Sequence, residues 1–380
     1  MPAQLVVKNA RLVIPELGVM EGHLIAEGGQ VTALARPGEG VPRARREIDA
    51  DGRYVLPGAI DPHCHYGLFP PIRVRMPPES AFAVQGGITT LVRYYRRPDS
   101  YLKTVPPHIE ANQHLHYQDF AIHLTLFTME QIGELYDYLE VLGINSFKMY
   151  MNLKAPLAKG FPIDPQVDDV ELQRADLDYD DGLLFAAMEA LSLSPGRVRL
   201  SVHVEEADIL IRQMDRVRAL GLGGLAAWHF ARPPEAEALG IMKVSYLSRQ
   251  KGVPVYFPHI GSRLGIQALA KEQMQGTSMV AETCSHYLLH NTESKEAELL
   301  KVMPPVRTRE DNDATWAALQ GGVITTVGSD HIPWTAEEKG TGDIWTIRPA
   351  FGSYGLTVPI LLSEGFNKER LTIRQVAQVT

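Results

Sequence analysis

The chain has 380 residues, more than an average single domain, and 45% of them are hydrophobic, enough for a large core. Its formal charge of −8, from 45 acidic against 37 basic residues with no long basic run, excludes nucleic acid or another polyanion as an expected partner. Cys64 and Cys284 are too few for a disulfide framework and favour a cytoplasmic location, while the absence of any apolar run near ~18 residues, or of a basic-then-apolar leader at Met1, argues against a membrane span or signal peptide.

Residues 4–55 hold short alternating apolar runs at 4–8, 11–14, 22–26 and 30–35, broken by glycine, which predicts a small β domain over 1–54. From Tyr54 the rhythm changes to an apolar strand followed by a longer helical stretch. Strands are expected at 54–60, 88–93, 120–127, 144–150, 198–203, 253–259, 278–283 and 323–329. Eight such repeats give an α/β chain whose residues 55–380 form a (β/α)8 TIM-like barrel, a fold that places its chemistry at the carboxyl ends of the strands.

Candidate metal ligands fall at those ends. Side chains alternate along a strand, so His63 and His65 face one way and can grip one ion, with Asp61 two residues before, while Cys64 faces the other way. Lys148 sits between Phe147 and Met149 inside a strand, where an unpaired charge is costly. His203, His259 and Asp330 each end or follow a strand-like run. The six together point to a two-metal hydrolase. Of the other histidines, His108, His114, His116 and His123 are expected in packed or solvated roles, and His286 and His331 near the site or behind its ligands.

The combination of Pro57-Gly-Ala-Ile-Asp-Pro-His-Cys-His65, Gly86-Gly-Ile-Thr-Thr90, Ser146-Phe-Lys-Met-Tyr150, Val202-His203, Pro258-His259, Glu282-Thr-Cys-Ser-His-Tyr-Leu288, Met303-Pro-Pro-Val-Arg307 and Gly328-Ser-Asp-His-Ile-Pro333 resembles the amidohydrolase superfamily, and within it the cyclic amidases: hydantoinase, dihydropyrimidinase and allantoinase. The resemblance implies a barrel joined to a small β-sandwich built from the N-terminus and normally the C-terminus. It implies two divalent ions, zinc first with manganese or iron as substitutes, one held by His63, His65 and Asp330 and the other by His203 and His259, bridged by a carboxylated Lys148. The water between them would attack the amide carbonyl as hydroxide, with Asp330 as proton shuttle. Tyr150, Asn152, Cys284, His286, Pro304 and His331 would contact substrate or support the ligands. The expected substrate is a small cyclic amide or ureide and the expected assembly a homo-oligomer, dimer or tetramer. An acyclic N-acyl or N-carbamoyl substrate, or a non-catalytic scaffold like the dihydropyrimidinase-related proteins, is the alternative.

Three departures bear on substrate. Leu153 stands where hydantoinases carry an oxyanion-holding tyrosine, Gly67 where dihydroorotases carry a carboxylate-holding arginine, and Ser285 where allantoinases carry proline. Arg93, Arg96 and Arg97 after the second strand suggest an anionic substrate, against ordinary surface arginines. The loop 67–79, with four prolines, is expected to wall the pocket, and residues 164–181, with eight acidic residues and one basic, to form a solvated flap. Residues 371–380 begin like a capped helix, Thr372 with Gln375 three on, and then stop where the resembled family continues, so a truncated or diverged terminus is expected.

Overall fold

The structure is a computed structural model and describes residues 3–194, 196–295 and 297–380. The chain divides into two units, Met1–Ala59 with Leu361–Thr380, and Ile60–Ile360. The first is built around β1 (Ala3–Ile14), which pairs antiparallel with β2 (Gly18–Glu27), itself antiparallel to β3 (Gln30–Ala35). On its other side β1 pairs in parallel with β4 (Ala44–Asp49) and then β5 (Tyr54–Val55). Alternation puts Val6, Ile25 and Ala35 into one small core and Val7, Ala10 and Leu12 into another. The final helix, Ile373–Val379, starts with the expected capping box, Thr372 and Gln375 bonding reciprocally. It buries Ile373, Val376 and Val379, and Arg374 and Gln378 donate to the Pro15 carbonyl.

Two boundaries differ from the sequence reading, which ended the small domain at 54 and assigned everything after it to the barrel. Residues 54 and 55 pair with Arg11 and Leu12 of β1 rather than opening the barrel, and residues 361–380 group with the small unit through the apolar face of the final helix.

The larger unit holds eight strands hydrogen-bonded in sequence order: β6 (Ala59–Cys64), β7 (Ile88–Tyr95), β8 (Asp119–Thr125), β9 (Ser146–Tyr150), then, after a hairpin described below, β12 (Arg199–His203), β13 (Val255–Phe257), β14 (Met279–Cys284) and β15 (Thr326–Gly328). The pairings of β7 through β15 are parallel. Helices such as Tyr101–Asn112, Pro234–Lys251, Arg263–Met274 and Arg309–Gly321 lie between them in the chain, so the strands are buried and read as continuous apolar runs. Asp61 joins the first strand to the last: it accepts from the Ser329 amide and hydroxyl, while the Asp330 amide donates to the His63 carbonyl at 2.9 Å and the His65 amide to the His331 carbonyl at 2.8 Å. The structure therefore gives Asp61 to barrel closure, not to the ligand cluster.

The acidic insertion is not a fully solvated flap. Its β11 (Gln173–Ala175) pairs antiparallel with β10 (Phe161–Ile163), which immediately precedes the insertion, to form a hairpin, and Asp164 is completely buried. Among the described residues no helix is long and apolar enough to cross a membrane.

Candidate metal centre

Strand alternation delivers His63 and His65 to the same face at the end of β6, and Asp330 meets them from just beyond β15. Its Oδ1 lies 3.1 Å from His63 Nε2 and 3.2 Å from His65 Nε2, and the three are buried and close enough to hold one cation. His63 is aimed from behind. Its Nδ1 lies 2.7 Å from Glu282 Oε1 on β14, and the same carboxylate accepts from the His259 amide at 3.1 Å and the Tyr256 hydroxyl. Carboxylate-held imidazoles are the usual outer support of a metal ligand. Gly328 makes room for this carboxylate, since a Cβ there would sit 2.7 Å from Glu282.

His203 and His259, from β12 and just past β13, complete the cluster. Their ring centroids are 4.5 Å apart, and that of His259 is 5.2 Å from that of His63. His203 Nε2 is taken by Glu205 at 2.6 Å, and Glu205 is in turn clamped by Arg232, which leaves Nδ1 as the ring nitrogen not engaged by Glu205. Lys148, on β9, is fully buried and its Nζ has no hydrogen-bond partner; it lies 4.6 Å from the Tyr94 ring centre and 4.8 Å from that of Tyr150.

His259 and Asp330 adopt left-handed backbone, φ 47° and 48°, and Ala350 beside them φ 73°. Such conformations cost about 1–3 kcal/mol each and persist where surrounding structure enforces them, which is common at functional sites.

Burial sets the charge states. It pushes the Lys148 amine down to about 7 against the opposing pull of Glu282 and Asp330, and holds His65 and His259 well below the ordinary imidazole range, so both are neutral as metal ligation requires. His63 behaves otherwise: burial disfavours its cation, but Glu282 and Asp330 outweigh it and lift the ring to about 9. Asp330 stays ionised despite burial because His63 and His65 face it. Two carboxylates converging on a buried imidazole cluster, beside an unpartnered lysine amine, fit a cationic occupant.

A cavity of about 210 Å³ opens above these groups, lined by His63, His65, His203, His259 and Asp330 below and by Leu68, Leu153, Phe161, Leu172, Ile332 and Trp334 on its walls. Tyr150 and Asn152 line it as expected sequence positions, and so does Met303, next to Pro304, which lies behind and accepts from the Tyr287 hydroxyl through its carbonyl. Cys284, His286 and His331 do not reach the cavity lining. Cys284 lies under Glu282; His286 is buried beside Tyr287; His331 stacks on Tyr354, ring centres 3.6 Å apart, and receives the Ser353 amide. Glu282, Glu205, Arg174, Trp334 and Arg348 belong to the site or its support and were not among the residues singled out from sequence. Only Glu282 carried a signal, inside the run shared with allantoinases.

No family model matches the chain. It is 28% identical to an L-hydantoinase of Paenarthrobacter aurescens, over 98% of this chain and 78% of that protein, and 27% identical to an allantoinase of Solibacter usitatus, over 97% and 77%. The crystallised L-hydantoinase (dihydropyrimidinase) of Arthrobacter aurescens superposes with a TM-score of 0.84 at 26% identity, covering 99% of this chain and 80% of that one. The chain is related to the cyclic amidases of the amidohydrolase superfamily. The TIM barrel with its separate N-terminal sheet is the shared architecture, and the cluster just described lies at the carboxyl ends of its strands.

Proposed function

We propose that the protein is a binuclear metal-dependent hydrolase that opens a cyclic amide, imide or ureide. The observation that carries this reading is the convergence of His63, His65 and Asp330 with His203 and His259 around the unpartnered Lys148 amine. His63, His65 and Asp330 would hold one divalent ion, His203 through Nδ1 and His259 the other. Lys148 would bridge them as a carbamate, its neutral nitrogen bonding to the carbon of carbon dioxide while one C=O pair moves to oxygen and the nitrogen loses a proton; this accounts for a buried amine without a partner. Zinc suits the imidazole-rich set, with manganese or iron as substitutes.

When bound, such ions acidify a water and polarise the amide carbonyl. The chain's own groups do the rest. Asp330 would accept the proton of the attacking water and return it to the leaving nitrogen, and Glu282, 2.7 Å from His63 Nδ1, would hold that ring in its ligating orientation. The apolar walls exclude bulk water, and the Tyr150 hydroxyl, beside Arg96 in the cavity lining, would meet the carbonyl oxygen where Leu153 offers none. Two buried free thiols suit the cytoplasm, and a dimer or tetramer is the expected assembly.

Incubating the zinc-loaded protein with hydantoin, dihydrouracil, allantoin and hydantoin-5-acetic acid, and following ring opening by mass, tests the reading. A ring-opened product from a cyclic amide or ureide is expected; none from a protein carrying two ions per chain would refute it.

A further inference from the structure

Arg93, inside β7, and Arg96 and Arg97, just past its end, are all buried, so none is an ordinary surface arginine. Arg93 is spent on the Asp164 carboxylate and on His108 Nε2 at 3.0 Å. Arg97 is spent on Asp99 and on the Asp164 carbonyl. Arg96 differs. Its amide takes Asp164 Oδ2 at 2.7 Å, but its guanidinium reaches the same oxygen only through Nε, at 3.4 Å, and its Nη2 is buried with no partner. Asp164 thus answers one full positive charge and is shared by two.

Arg96 also lines the cavity, beside the Tyr150 hydroxyl, with its guanidinium over the Phe161 ring at 5.5 Å. Two further cations, Arg174 and Arg348, stand in the same walls. Arg174 donates to the Gly160 carbonyl and Arg348 lies over the Trp334 ring at 4.8 Å, and neither forms an ion pair among the described residues. The only acid in the lining is Asp330, already held by His63 and His65. Arg174 is exposed and Arg348 half-buried, so the cost of desolvation falls on buried Arg96, whose one ion pair among the described residues is the 3.4 Å contact with Asp164, and a bidentate guanidinium suits a carboxylate.

We infer that the substrate bears an anionic group, a side-chain carboxylate on the ring that is opened, and that Arg96 is its principal anchor. The inference rests on the hydrolase reading above and narrows it to ring compounds with a pendant carboxylate. It also gives the departure at Leu153 a context: this pocket would orient its substrate through the arginine side as well as at the reacting carbonyl.

The test compares hydantoin-5-acetic acid with hydantoin-5-acetamide, which differ in charge and hardly in shape, on metal-loaded wild type and on Arg96→Gln. Binding is read by calorimetry in the cold and kcat/KM by product formation. Wild type is expected to favour the carboxylate at least ~tenfold in both measures, and Arg96→Gln to bring the ratio within about threefold. Equal handling of the two probes by wild type overturns the inference even if the variant does not fold, and full retention of the preference in Arg96→Gln removes Arg96 as the anchor. The hydrolase reading fails separately: Arg96-dependent binding with neither ring opened would leave the anion site standing and refute the activity, whereas opening of both at equal kcat/KM would do the reverse.

Discussion

Glu282 shows how much of this site is set by a residue that does not line the cavity. One carboxylate aims His63, receives the His259 amide and takes the Tyr256 hydroxyl, so both halves of the cluster are referred to one point. Glu282→Gln keeps the shape and loses the charge, and is expected to weaken metal retention about 10- to 100-fold, measured by competition with a chromogenic chelator; unchanged retention would reduce Glu282 to packing. Remote from the cluster, His229 reports on acid stability. Burial, then the charge of Arg307 at 3.4 Å, hold its ring down to about 4, against 6.5 in an unfolded chain. Between those values the unfolded chain takes up a proton that the folded one refuses, so the contribution of His229 is full above 6.5 and is lost as pH falls toward 4. His229→Gln is expected to flatten the fall in denaturation midpoint over that window, and an identical slope would contradict this. The clustered histidines were legible in the sequence because a strand's period of two and its end are sequence features. Glu205 and Arg96 were not, since what defines them is who stands opposite, and Asp164 lies 68 residues from Arg96.

At the scale of elements, the hairpin of β10 and β11 is the clearest case of composition misleading. Eight acidic residues in eighteen suggest a solvated segment, and most of them are indeed polar surface, but Asp164 at the end of β10 is the counter-charge for Arg93 and Arg96 and anchors the hairpin that brings Phe161 and Arg174 to the cavity. Removing one partner of a buried ion pair leaves the other charge uncompensated, at about 3–5 kcal/mol. Asp164→Ala is expected to destabilise the fold by that order in chemical denaturation and to speed proteolysis within 161–175; a loss below about 1 kcal/mol would show that the arginines find other partners. The expected strand at 54–60 had a physical ambiguity of the same kind. Its apolar run is continuous, and periodicity cannot tell that residues 54 and 55 pair with β1 while β6 starts at Ala59.

For the whole molecule, the order of strands follows the chain from β6 to β15, with the short hairpin set aside, which is why counting apolar runs recovered the barrel. What it could not supply is the closure between first and last strands, made by Asp61 to Ser329 across 268 residues and by the His63 and His65 backbone. That closure is also what brings Asp330 within 3.2 Å of both histidines, so barrel formation and assembly of the ligand set are one event. The most direct measurement is therefore metal content per chain, by elemental mass spectrometry, on wild type and Lys148→Ala purified without chelator. About two ions per wild-type chain, falling sharply in Lys148→Ala, is the expected result. No ions in wild type after supply of zinc or manganese with bicarbonate, or two ions retained in Lys148→Ala, would contradict a lysine-bridged binuclear centre.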